Sequence, residues 1–119
     1  RLLDFIPMLI DLKQNEVDYL IDEIDRSMHP MLSQKILECY FSGLESGRDT
    51  QLIFSTHECI LLNLDLIRAD EVWFVEKGKD GASHLTSLAE FKPREDVRKG
   101  YLLGRYGAIP LLPKEAMKW

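Results

Sequence analysis

The chain has 119 residues, of which 45% are hydrophobic and 29% are charged, so intrinsic disorder is not expected. The net charge of −5 divides into −9 over residues 1–91 and +4 over residues 92–119, and an acidic body argues against general nucleic-acid binding. Because the sequence has no bilayer-length apolar run, no secretory signal and no CxxC pair, we expect a cytoplasmic protein without a zinc site or a disulfide framework.

The first half of the sequence predicts a helix, a strand and a second helix. Residues 2–12 are apolar on nearly every side, which predicts a mostly buried helix that kinks or begins at Pro7. Residues 17–21 form a short β-rich run that ends in two acids, as is typical of a strand inside a parallel sheet. The next helix begins at Pro30, and its apolar stripe recurs every four residues, at Leu32, Ile36, Tyr40 and Leu44.

The second half predicts another strand and a hairpin. Residues 51–54 form a short apolar strand that ends in Ser55-Thr56-His57. Residues 71–76 and 84–88 are predicted to pair across the Asp80-Gly81 dipeptide, which is a strong hairpin signal.

The last predicted element is a helix over residues 94–103, with Val97, Tyr101 and Leu102 turned inward. Trp73 is predicted to lie in the core rather than to serve as a platform for a nucleic-acid base. Alternation of strands and helices followed by a hairpin predicts an α/β fold.

Two adjacent acids, Asp22 and Glu23, follow the first predicted strand. In parallel α/β sheets ligands bind beyond the carboxyl ends of the strands, and carboxylates collected there are suited to a cation or to water. An ionised carboxylate that holds Mg²⁺ through its waters is a standard device of phosphate chemistry, and a neighbouring Glu can activate an attacking water. The competing interpretation is a surface acid pair that opens a turn.

His57 follows the second predicted strand, so both strands are expected to deliver polar groups to one edge of the sheet. An imidazole at this edge has the chemistry to hydrogen-bond a terminal phosphate oxygen. A single His is more often structural, and only its combination with Asp22 and Glu23 favours a functional role. His29, beside Pro30, is predicted to start a helix rather than to bind a metal.

The order of these motifs resembles the ABC-like branch of the AAA-type ATPases, which includes the SMC proteins, the overcoming-lysogenization-defect proteins and the abortive-infection phage-defence ATPases. Residues 19–30, YLIDEIDRSMHP, resemble the Walker B motif and D-loop, and residues 53–57, IFSTH, resemble the switch-histidine loop. Residues 91–94 and 101–110 are similar to the C-terminal signature of the phage-defence subgroup. The resemblance implies the C-terminal half of a P-loop NTPase domain over residues 1–119.

The resemblance also implies roles for individual residues. Asp22 would bind Mg²⁺ through water, Glu23 would be the general base for ATP hydrolysis, and His57 would sense the γ-phosphate. The interface at which two nucleotide-binding domains sandwich ATP would contain Asp25, Arg26 and Ser27. The implied cofactors are ATP and Mg²⁺. The implied partners are the N-terminal half of the same domain, a second copy in a homodimer, and an effector nuclease or DNA.

Two motifs of this family are absent from the 119 residues. No GxxxxGK[ST] loop occurs, so the backbone cradle and the lysine for the phosphates are missing. The family's signature motif is missing too, and the resemblance places it just before Arg1. We therefore expect the isolated chain neither to bind ATP tightly nor to stay monomeric, and to hydrolyse no ATP unless other protein completes the site.

Two other functions remain open from the sequence. A TOPRIM-type metal-dependent nuclease also uses a carboxylate cluster after a strand. However, two residues separate Asp22 from Asp25 here, and no strand-terminal Glu lies upstream. The other function is a non-catalytic interaction or regulatory domain that keeps the ATPase architecture without turnover, an alternative that the missing phosphate loop favours.

Overall fold

The chain divides into two units, Arg1–Leu61 and Leu62–Trp119. A computed structural model describes residues 2–12, 14–44, 49–93 and 96–109. It shows a small mixed α/β fold with a short parallel sheet in the first unit and an antiparallel hairpin in the second. Among the helices of the described residues, none has the length and apolar character needed to cross a membrane.

The first helix, α1, spans Leu2–Asp11 and contains Pro7 in its interior. It therefore does not begin at Pro7, which was one of the two predicted outcomes. Its buried side chains are Phe5 and Met8, followed by Leu12 just past the end, whereas the apolar side chains of Leu3, Ile6 and Ile10 are exposed. The prediction of a mostly buried helix is therefore wrong for the face that carries these three exposed residues. Composition alone does not show which side of an apolar helix packs against a neighbour.

The second helix, α2, spans Pro30–Gly43. Pro30 occupies the first turn, as predicted, and His29 caps the helix because its Nδ1 accepts a 3.3 Å hydrogen bond from the Met31 N–H. The predicted stripe is displaced at its start, since Ser33 is buried and Leu32 is exposed; the other buried side chains are Ile36, Leu37 and Tyr40. A Cβ on Gly43 would lie 3.0 Å from Leu12 Cδ2, so glycine permits the close approach of these two residues.

The parallel sheet consists of β1, Tyr19–Ile21, and β2, Leu52–Phe54. Both lie inside the predicted strands, and their parallel pairing is confirmed, with Leu20 opposite Ile53. These two side chains are 77% and 56% exposed. One face of the sheet is therefore apolar and solvent-exposed, although parallel sheets are ordinarily covered on both faces.

In the second unit, β3 (Trp73–Lys77) pairs with β4 (Ser83–Ser87) in the predicted hairpin. The turn contains Gly81 at a φ of +85°, a conformation that glycine adopts without steric cost. Trp73 is 56% exposed, so its prediction as a core residue is wrong. Side chains alternate along a strand, and it is the neighbouring Phe74 that points into the core.

The core of the second unit combines aliphatic residues with an aromatic cluster and is completed by α3, Val97–Leu102. The ring of Phe74 stacks on Tyr101 and Tyr106 with centroid distances of 5.7 and 5.4 Å. The predicted inward positions of Val97 and Tyr101 are confirmed, whereas Leu102 is 63% exposed. Asp96 caps α3 by accepting hydrogen bonds from two backbone N–H groups, and residues 94–95 of the predicted helix lie outside the described residues.

Candidate functional site

The carboxyl ends of β1 and β2 lie at the same edge of the sheet, because the strands are parallel and in register from Tyr19 opposite Leu52 to Ile21 opposite Phe54. Asp22 and Glu23 leave this edge from β1, and residues 55–57 leave it from β2. The structure therefore brings the two acids and the segment that contains His57 to one edge, as the strand pattern predicted. The functional roles of these residues remain predictions.

Ser55 joins the two segments through four hydrogen bonds. Its backbone N–H donates to the Ile21 carbonyl at 3.0 Å, and its carbonyl accepts from the Ile24 N–H at 3.0 Å. Its hydroxyl donates to Asp22 Oδ1 at 2.5 Å and accepts from the Glu23 N–H at 2.8 Å. The positions of both acids are thus coupled to β2. Sequence reasoning missed this role, for which the only signal was a polar residue directly after an apolar strand.

The backbone at Glu23 adopts an unusual conformation, with a φ of +50°, and Ser27 has a φ of +59°. The left-handed region costs a non-glycine residue about 1–2 kcal/mol and is concentrated at functional sites in proteins. Between them, Ile24 is completely buried and anchors the turn. Arg26 closes the turn with an N–H bond to the Glu23 carbonyl at 2.9 Å.

The side chains of Glu23 and Arg26 form an ion pair at 3.7 Å, with 41% and 70% of these side chains exposed. Such exposed pairs contribute little to stability. Asp25 differs, because its Oδ1 is buried and receives no hydrogen bond from any described residue. A buried carboxylate oxygen without a donor is unfavourable. The described residues therefore leave the hydrogen-bonding capacity of Asp25 Oδ1 unsatisfied.

His57 is exposed, and its ring takes part in no hydrogen bond with the part of the chain that the structure describes. The residue before it, Thr56, has its hydroxyl engaged locally by the Glu58 N–H at 3.0 Å. The imidazole is accordingly accessible to a ligand at the sheet edge. His29 is engaged in capping α2, in agreement with its prediction as a helix-start residue.

Within residues 2–12, 14–44, 49–93 and 96–109, no three His, Cys, Asp or Glu side chains are grouped so as to hold a metal. Mg²⁺ typically binds through one or two carboxylates, with waters and substrate phosphates supplying the other oxygens. The Asp22 carboxylate and the Ser55 hydroxyl are oxygen donors next to each other. These residues fit a cation held mainly through water, and they do not form a closed protein cage.

Several side chains of the first unit have shifted pKa values, and the four described below lie away from this edge. Burial and a 2.9 Å hydrogen bond to Asp11 raise the pKa of Tyr19, at the amino end of β1, to about 12. The pKa of Asp11 is lowered, first by the Asn15 side chain and second by the Tyr19 hydroxyl. On α2, the hydrogen bond between Lys35 and Glu38 raises the pKa of the lysine and lowers that of the glutamate.

The arrangement is that of an acidic pair and an accessible imidazole at the carboxyl edge of a parallel sheet. In comparisons with known proteins, no family model matches the chain, and no curated protein matches it. The likeness to ABC-like ATPases therefore depends on the motifs themselves and on where they lie in the fold.

Proposed function

We propose that the chain takes part in ATP binding and hydrolysis as the Walker B, D-loop and switch-histidine portion of an ABC-like ATPase domain. The observation that carries the proposal is that Asp22 and Glu23 lie at the carboxyl end of β1 and are both hydrogen-bonded to Ser55 at the end of β2. Ligands of α/β sheets bind at this edge, and phosphoryl transfer there needs a carboxylate for Mg²⁺ and a group that orients water.

Each residue then has a distinct task. Asp22 would hold Mg²⁺ through water, and the ion would supply positive charge beside the phosphates. Glu23 takes a proton from the attacking water. His57, exposed at the same edge, donates a hydrogen bond to the terminal phosphate.

The proposal requires protein beyond these 119 residues, because they contain no GxxxxGK[ST] loop. We assign that part to the N-terminal half of the same ATPase domain. The exposed apolar pair of Leu20 and Ile53 supports this partner, since a parallel sheet is stable when both faces are covered.

A homodimer that closes over ATP is the second part of the proposal. Its interface includes Asp25, Arg26 and Ser27, and the exposure of Arg26 and Ser27 supports it, because both side chains can be reached by a partner. The biological role that we propose, phage defence or another DNA-linked process in which ATP gates an effector nuclease or DNA binding, has only the sequence resemblance as its support.

The test is ATP hydrolysis by the protein as its gene encodes it, in the wild type and in Glu23→Gln. We expect hydrolysis to fall by about 10²-fold or more while ATP binding, measured by calorimetry, changes little, because the amide keeps the shape of the carboxylate but cannot accept the proton. Glu16→Gln, an exposed change before the amino end of β1, is the matched control and is expected to be neutral.

Hydrolysis at the wild-type rate in Glu23→Gln would contradict the assignment of the general base. Absence of both ATP binding and hydrolysis in the wild type would favour the non-catalytic alternative. Mg²⁺-dependent nicking of DNA that Asp22→Asn abolishes would favour the nuclease.

A further inference from the structure

The backbone of Ser55 is fixed to the segment that follows β1. Its N–H donates to the Ile21 carbonyl and its carbonyl accepts from the Ile24 N–H, each at 3.0 Å. These bonds lie on either side of Asp22 and Glu23 in the chain. Ser55 therefore extends the contact between the two segments by one residue beyond the strands, and its Cβ has a defined position relative to both acids.

The hydroxyl of Ser55 uses its proton and one lone pair in hydrogen bonds to the acidic pair. A serine hydroxyl has one proton to donate and lone pairs that accept. Here the proton is directed to Asp22 Oδ1 at 2.5 Å, and a lone pair accepts the Glu23 N–H at 2.8 Å. One oxygen atom thus orients the carboxylate of the first acid and the backbone of the second.

The bond to Glu23 has a particular consequence because that residue has a φ of +50°. A left-handed backbone is disfavoured for residues other than glycine, so an acceptor for its N–H helps to hold the conformation that directs the Glu23 side chain. The hydroxyl of the next residue, Thr56, has a different partner and accepts the Glu58 N–H at 3.0 Å.

We infer that Ser55 is a positioning residue for the acidic pair, setting the orientation of the Asp22 carboxylate and the left-handed backbone of Glu23 through one hydroxyl group. Its effect on ATP turnover rests on the proposed function. Its effect on the local structure does not, and the two are separable by experiment.

The test compares Ser55→Thr with Ser55→Val, two side chains of nearly the same shape of which only the first has a hydroxyl. Amide hydrogen exchange at Glu23 is measured by mass spectrometry on the protein as its gene encodes it, without nucleotide, with the global melting temperature as a control for folding. We expect Ser55→Val to accelerate exchange at Glu23 by about tenfold, the effect of losing one hydrogen bond, and Ser55→Thr to leave it near the wild-type rate.

The same variants are then tested for ATP hydrolysis in the protein as its gene encodes it. We expect Ser55→Val to lower kcat by about tenfold and to raise the Mg²⁺ concentration needed for half-maximal rate, with little change in KM for ATP. Ser55→Thr is expected to restore both. A merely structural role would lower the melting temperature without changing the Mg²⁺ dependence.

Unchanged Glu23 exchange in Ser55→Val overturns the inference, as does equal behaviour of the Thr and Val variants. An unchanged kcat in Ser55→Val, in a protein that Glu23→Gln inactivates, also overturns it. If no form of the protein hydrolyses ATP, the proposed function fails, and the exchange measurement alone then decides whether Ser55 positions the acids.

Discussion

Tyr19 and Asp11 form a side-chain pair at the amino end of β1. The Tyr19 hydroxyl donates to Asp11 Oδ2 at 2.9 Å, and burial, together with this bond, raises the pKa of the phenol from 10.0 to about 12. A group whose pKa is higher in the folded state stabilises the fold in its protonated form. The contribution of Tyr19 is therefore complete below pH 10 and is lost as the pH rises through about 12.

We predict that Tyr19→Phe removes part of the alkaline loss of stability. The free energy of unfolding, measured by urea denaturation between pH 10 and 12, is expected to fall less steeply in the variant than in the wild type. Tyr40, whose pKa is also raised, interacts electrostatically with Tyr19, so the same comparison is repeated in a Tyr40→Phe background. Parallel pH profiles for the two proteins would contradict the prediction.

At the scale of an element, α3 depends on a glycine in its interior. A Cβ on Gly100 would lie 2.6 Å from the Tyr106 hydroxyl oxygen and 2.9 Å from its ring. Tyr106 is buried and stacks on Phe74, with an edge contact to Phe91 at 5.1 Å. The ring cannot move aside without disturbing the aromatic core, so the close approach is essential to the packing of α3.

We predict that Gly100→Ala destabilises the protein by about 1–3 kcal/mol through overpacking. The sign distinguishes this account from helix propensity, because alanine in a helix interior is otherwise favoured over glycine by about 1 kcal/mol. Urea denaturation followed by near-ultraviolet circular dichroism reports the aromatic core directly. Lys99→Ala, an exposed change in the same helix, is the control, and a stabilised Gly100→Ala protein would contradict the packing argument.

The hairpin and the start of α2 were predicted correctly, whereas the buried face of β3 was not, and the difference has a physical reason. The hairpin and the start of α2 follow from local chemistry, namely Asp80-Gly81 at the turn and Pro30 behind the His29 cap. The direction of Trp73 depends instead on which face of β3 meets α3 and its neighbours, and both faces of that strand carry apolar residues. Because side chains alternate along a strand, Trp73 and Phe74 must lie on opposite faces of β3, and only the packing of the rest of the unit decides which face is buried.

At the scale of the whole molecule, the first unit presents apolar surface that the described residues do not cover. Leu20 and Ile53 are directly paired across the two strands, and both are more than half exposed. Large contiguous apolar surfaces are typical of sites that contact other protein. In the proposed ATPase, the remainder of the nucleotide-binding domain covers it.

We predict that the 119-residue chain by itself associates as its concentration rises, and that Leu20→Ser combined with Ile53→Ser weakens this association by at least about tenfold, since each replacement removes about 1–2 kcal/mol of apolar burial. Analytical ultracentrifugation over a range of concentrations measures it. Leu102→Ser, at an exposed leucine of the second unit, is the control. A wild-type chain that stays monomeric at every concentration would contradict the prediction.

The sequence by itself determined the order of the α-helices and β-strands, the parallel pairing of β1 with β2 and the meeting of Asp22 with the His57 segment at one sheet edge. Periodicity, turn residues and the geometry of parallel strands are local or topological properties, and they can be recognised without coordinates. The tertiary structure alone decided the left-handed backbone of Glu23 and the role of Ser55. Those features arise from hydrogen bonds between residues 32 and 33 positions apart, and no local pattern encodes which distant atoms will meet.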